Sequence, residues 1–174
     1  LGVDEAHYVL YAKYLDWSYL DHPPLVGWLH ALFFYPFKTN EFLARLPAVI
    51  IFALTSYCAY LFMMRVTQSD RLSLLAVLAL NCSFMFNVLG MMLLPDSLLL
   101  PLVFFLIFIS ERINQEKKIV YFVFWGAILG LMGLAKYTAI IVVAPLLAYY
   151  LMNKRYDILF SRGMFLAAGP CGLP

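Results

Sequence analysis

Residues 119–152 run for thirty-four positions with a single charge, Lys136. One helix of that length would reach about 51 Å at 1.5 Å per residue, well beyond a hydrocarbon core of about 30 Å. The stretch therefore predicts two short spans hinged near Lys136-Tyr137-Thr138. Three more apolar runs precede it. Residues 42–64 are interrupted only by Arg45, with Pro47 read as tolerable in a first turn. Residues 72–94 and 97–110 follow, divided by Pro95-Asp96. The last run is short, so its helix is expected to start near Leu93, capped by Asp96 or Ser97.

Only 13% of residues are charged and 64% are hydrophobic, whereas a soluble domain keeps about a quarter of its residues charged. The expected fold class is all-α, a polytopic transmembrane helix bundle. Its spans are expected near 42–64, 72–92, 94–110, 119–135 and 138–153, with a truncated one from 163. The chain opens on Leu1, and its final apolar run is too short to cross, so it reads as part of a longer polypeptide. Cys58, Cys82 and Cys171 fall in apolar stretches without a pairing pattern, as small buried hydrophobes do.

Residues 1–41 read as an outer loop with interfacial helices. The run 23–37 is about fifteen residues long and carries His30, which suits a helix lying in the membrane plane. Tyr8, Tyr11, Tyr14, Trp17 and Tyr19 suggest an aromatic belt. If 23–37 does not cross, the loops 65–71, 112–118 and 154–162 share one side. They hold Arg65, Arg71, Arg112, Lys117, Lys118, Lys154, Arg155 and Arg162, eight of twelve basic residues. The positive-inside rule makes that side cytoplasmic. Asp4, Glu5, Asp21, His22, Asp96 and Lys136 then gather at the outer face. The net charge of +2 is spread through short loop clusters and points to no nucleic-acid partner.

Each of these residues has a plainer reading. Asp4 and Glu5 suit the positive end of a helix dipole, and Asp21-His22-Pro23-Pro24 suits a turn before a helix. Asp96 suits an N-cap. Arg45 suits an interfacial anchor, and His7 and His30 suit structural roles. Lys136 is harder to set aside, because a cation at a span centre costs about 2.5–3.5 kcal/mol on insertion scales. Snorkelling to the surface would lower that cost. A lipid phosphate held there would use the charge directly.

Asp4-Glu5-Ala6-His7-Tyr8, Leu15-Asp16-Trp17-Ser18-Tyr19 and Asp21-His22-Pro23-Pro24-Leu25-Val26-Gly27-Trp28-Leu29 closely resemble the opening of one group of bacterial glycosyltransferases. These are the dolichyl-phosphate-mannose-protein-mannosyltransferase-like enzymes of the GT-C superfamily. The group includes the aminoarabinose transferases of lipid A and the rhizobial galacturonosyltransferases. Ala44-Arg45-Leu46-Pro47, Pro95-Asp96-Ser97 and Gly133-Leu134-Ala135-Lys136-Tyr137-Thr138 fall in the order of the later family blocks.

The resemblance implies sugar transfer from a polyprenyl-phosphate donor to a lipid, glycan or protein acceptor. The work would be done at the outer face of the inner membrane. It assigns Asp4 as catalytic base and Asp96 as a second acid near the site. His22 and Lys136 are assigned to the donor phosphate, with Glu5 and Arg45 in support. Asp21 stands beside the phosphate and is a candidate ligand for a divalent metal, the one cofactor implied. Aminoarabinose transferases have Lys where this chain has His22.

The chemistry suits those residue types. A sugar hydroxyl needs a base, the departing phosphate needs a cation or metal, and direct attack inverts the anomeric carbon. A transporter, or a non-catalytic remnant of a transferase, are the alternatives. The first would be expected to show repeats and discontinuous helices near the midplane.

Overall fold

The computed structural model describes residues 3–19, 22–35, 40–159 and 161, and these are helical with no strand among them. Helices α1 (Val3–Lys13) and α2 (Leu25–Phe34) pack together at one end of a bundle. The long α3 (Glu41–Thr67) follows, then α4 (Asp70–Asn81), α5 (Phe84–Met91), α6 (Pro95–Glu116) and α7 (Ile119–Ala135). A 3₁₀ turn over Tyr137–Ala139 leads into α8 (Ile140–Met152), and a short α9 (Tyr156–Leu159) ends the described chain. This is the all-α bundle expected. Asp21 and the stretch from 163 lie outside the described residues.

The Asn40 side chain starts α3 by accepting from the Leu43 N–H at 2.8 Å. Gln68 ends it in the left-handed conformation, at φ 52°. Pro47 lies in the second turn, not the first, and the helix continues through it. At 27 residues α3 is about 40 Å long.

The next stretch, read as one span over 72–92, is two helices bent by 75°. No proline or glycine marks the break at Asn81-Cys82-Ser83. Side-chain amides do: Asn81 Nδ2 donates to Val77 O at 2.8 Å, and Asn87 Nδ2 to Asn81 O at 2.6 Å and Ser83 O at 2.9 Å. The bond to Asn81 O satisfies a carbonyl that a continuous helix would have paired, while Ser83 O also accepts from the Asn87 N–H. Cys82, at this break, is exposed, while Cys58 is buried.

The order of contacts shows that the bent pair still travels the length of α3. Ser73 meets Thr67 and Met64, Asn81 meets Ser56, the Phe86 ring meets that of Phe52 at a tilt, and Leu93 joins Ala48 in one apolar cluster. Helix α6 then runs parallel to α3, from Leu98 near Ala48 to Glu111 at Arg65. Helix α7 returns beside α6, with Trp125 Nε1 donating to Ser110 Oγ at 3.0 Å. Finally α8 descends again to put the Tyr150 hydroxyl 3.5 Å from Ser110 O.

Among the described residues, α3 alone is long and apolar enough to cross a membrane, and the bent pair makes a second if counted as one. Helices α2, α7 and the turn with α8 are shorter and apolar. Tyr8 and Tyr11 are not belt residues: both are buried, clustered with Val26, Ala48, Leu93, Leu98 and Ala135. Tyr14 and Trp17 remain exposed. His30 is fully buried, with ring nitrogens 3.2 Å from Val26 O and 3.2 Å from Ala44 O, tying α2 to α3.

Candidate active site

Lys136 owes its position to the end of α7. It caps that helix with extended backbone, φ −161° and ψ 136°, before the 3₁₀ turn begins. Its ammonium therefore stands at a helix break and not in the middle of a ladder. Asp96 stands on the neighbouring α6, one residue after Pro95 opens the helix. Proline suits that first position because the N–H it lacks has no helical partner there. Leu94, not Asp96, is the N-cap residue. The Ser97 hydroxyl binds the preceding chain, donating to Leu89 O at 2.8 Å. The Asp96 carboxylate is thereby left for Lys136, and Nζ lies 2.7 Å from each of its oxygens. Asp96 is 45% and Lys136 27% exposed, so the pair is open to a competing anion.

A second ion pair joins α1 to α3. Arg45 donates Nε to Glu5 Oε1 at 3.0 Å and a terminal nitrogen to Oε2 at 3.2 Å. Glu5 is fully buried while Arg45 is 46% exposed. A carboxylate held in this two-point fashion is a structural anchor, which places Glu5 and Arg45 behind the site. Asp4, the next residue back, is exposed and has no ion-pair partner among the described residues. His22 is half-buried, its ring 5.4 Å from that of Tyr8.

The structure thus brings Lys136 to Asp96 and Glu5 to Arg45, all at the end built by α1, α2 and the start of α6. Asp4 and His22 stand at the same end without a hydrogen bond to either pair. Ala135, next to Lys136, packs in the cluster that holds Tyr8 and Val26, which links the lysine turn to the loop helices. The other end collects Arg65, Arg112, Lys117, Lys118 and Arg155, each paired with an acid.

Sequence reading missed a third feature at the loop end. A cavity of about 420 Å³ is lined by Leu15, Asp16, Trp17 and Trp28. The Trp28 indole donates to Asp16 O at 3.0 Å and meets Trp17 edge to face. The tryptophans are eleven residues apart on different segments, so no local pattern pairs them. Among the described residues no three His, Cys, Asp or Glu side chains converge as metal ligands, and Asp21, the metal candidate, lies outside those residues.

No curated protein and no solved structure matches the chain. A family model described as dolichyl-phosphate-mannose-protein mannosyltransferase matches residues 21–173. That range takes in Asp96, Lys136 and every helix from α2 onward, while α1 with Asp4 and Glu5 precedes it. With most of its length matched, the chain belongs to the dolichyl-phosphate-mannose-protein mannosyltransferase family and is a membrane glycosyltransferase in kind.

Proposed function

We propose that this sequence forms the catalytic end of an enzyme that transfers a sugar from a polyprenyl-phosphate donor to a hydroxyl of a lipid, glycan or protein. The observation that carries the reading is the Lys136–Asp96 pair, half-open at the same end of the bundle as Asp4. The site would face the outside of the inner membrane, with the basic end cytoplasmic.

In this mechanism Asp96 neutralises Lys136 until the donor's phosphate competes for the ammonium. Asp4 accepts the proton of the acceptor hydroxyl as its oxygen bonds to the anomeric carbon. The bond from that carbon to the phosphate oxygen breaks, and its electron pair leaves with the polyprenyl phosphate. Lys136 then meets a charge that has grown during the step, where a fixed cation accelerates most. His22 adds a second N–H donor. Attack opposite the leaving group inverts the anomeric centre. The family resemblance allows a divalent metal at Asp21 that would share the phosphate charge; among the described residues no ligand set for it converges.

The test uses the full-length protein that contains this sequence, in membranes, with radiolabelled polyprenyl-phosphate sugar. Transfer of label to a lipid, glycan or protein fraction supports the reading. Vectorial movement of an unmodified solute, with no transfer of label, would replace it by the transporter alternative.

A further inference from the structure

Two cavities meet at the basic end of the bundle, far from the Lys136–Asp96 pair. One, of about 480 Å³, lies between α3, α6 and α8 and is mainly apolar, with Phe62, Ile107, Phe108 and Leu146 in its walls. The other, of about 270 Å³, is polar and lined by Arg65, Gln68, Glu111, Arg112 and Gln115. Arg65 and Glu111 line both, so their 2.7 Å ion pair forms the wall between an oily compartment and a polar one.

The charges favour an anion. The polar compartment has two arginines against one glutamate, and Arg112 reaches its own partner, Glu116, only at 3.7 Å. The Arg65 guanidinium carbon lies over the Phe108 ring, 4.3 Å from its centroid, a cation–π contact that helps hold it in place. Glu111 uses one of its N–H groups, and a guanidinium has five. Asn114, in the wall of the apolar cavity, has a buried Oδ1 without a hydrogen-bond partner. Leaving such an atom unpaired is unfavourable.

We propose that this cleft binds one anionic phospholipid from the surrounding leaflet. Its phosphate lies on Arg65 and Arg112, and an acyl chain lies along Phe62, Ile107 and Leu146. Basic pockets between membrane helices hold anionic headgroups in this way, and arginine's planar fork suits phosphate oxygens. Phosphatidylglycerol, anionic and without a cation on its headgroup, is the probe of choice. The site is independent of the sugar-transfer reading, because it uses none of the same residues.

The experiment is native mass spectrometry of the full-length protein, released from mild detergent after titration with phosphatidylglycerol or phosphatidylcholine. Phosphatidylglycerol is expected to bind about tenfold tighter than phosphatidylcholine, whose phosphate is the same but whose choline cation is repelled by Arg65 and Arg112. Arg65→Gln with Arg112→Gln should abolish the preference. Ile107→Trp, which fills the apolar cavity and keeps every charge, should weaken phosphatidylglycerol by a similar factor. Three results would overturn the proposal. They are equal binding of the two lipids, a preference unchanged in the arginine variant, and cross-linking of Ile107→Cys to another segment of the same chain in place of a photoactivatable lipid.

Discussion

Asp4 and Lys136 make different demands on the reaction, and their variants should differ in kind. Asp4→Asn keeps the size and reach of the side chain but cannot take a proton. In the full-length enzyme, kcat should fall by about 10²–10⁴ with KM for the donor little changed. Steady-state transfer rates at saturating donor check this, and a near-normal kcat removes Asp4 as the base. Lys136→Ala should raise donor KM and lower kcat together, because its charge meets the phosphate before and during the step. Removing the counter-ion is more informative still. Asp96→Asn frees the ammonium that Asp96 now holds at 2.7 Å, so donor KM is expected to fall while kcat holds. A large loss of kcat in Asp96→Asn would instead make Asp96 a participant in proton transfer. The pairing itself could not be read in sequence, since forty residues separate the partners.

Helix contacts carry two further expectations. A Cβ placed on Gly90 would stand 2.5 Å from Phe52 Cδ2 and 2.8 Å from Cγ. Gly90→Ala should therefore push α5 off α3 and cost about 1–3 kcal/mol, as overpacking does. Phe52→Leu in the same chain should restore part of the loss in a denaturant titration. His30 makes stability depend on pH. Burial holds its pKa below the ordinary 6.5, against the opposing pull of the Ala44 and Val26 carbonyls and the Glu5 charge. The unfolded chain then binds the proton more readily. The His30 contribution is complete above pH 6.5 and declines as pH falls through the lowered folded value. Thermal unfolding midpoints should drop as pH falls below the ordinary 6.5, and His30→Gln should flatten that slope. Helix ends at Pro95 and Lys136 were legible, because a proline and a lone charge announce them. The 75° bend at Asn81-Cys82-Ser83 was not. It depends on Asn87 reaching back six residues to Asn81 O, a bond that apolar periodicity does not encode.

The whole molecule has two chemically distinct ends, and that much followed from counting charges between apolar runs. What counting could not supply was the pairing within each end, or the burial of Tyr8 and Tyr11, which composition had suggested as belt residues. The orientation is open to a direct test. In a variant with its cysteines replaced by serine, single cysteines at 21 and 96 should react with an impermeant maleimide from outside intact cells. Cysteines at 117 and 154 should react only after the cells are opened. Labelling of position 21 solely from the cytoplasm would invert the bundle and place the Lys136–Asp96 pair on the wrong side for a periplasmic reaction.

The pair also bears on how the protein is made. Asp96 leaves the ribosome forty residues ahead of Lys136, and only Lys117 and Lys118 separate the helices that carry them. A lone charge entering lipid is opposed by a few kcal/mol, whereas one arriving beside an opposite charge already in place is opposed by less. Biogenesis should therefore treat α6 and α7 as a hairpin, with the earlier acid easing the later cation across the translocon. In a glycosylation-mapped insertion assay, Asp96→Ala should lower the fraction of chains with α7 and α8 correctly inserted. Asp96→Glu should restore it, whether or not the enzyme it yields can transfer a sugar.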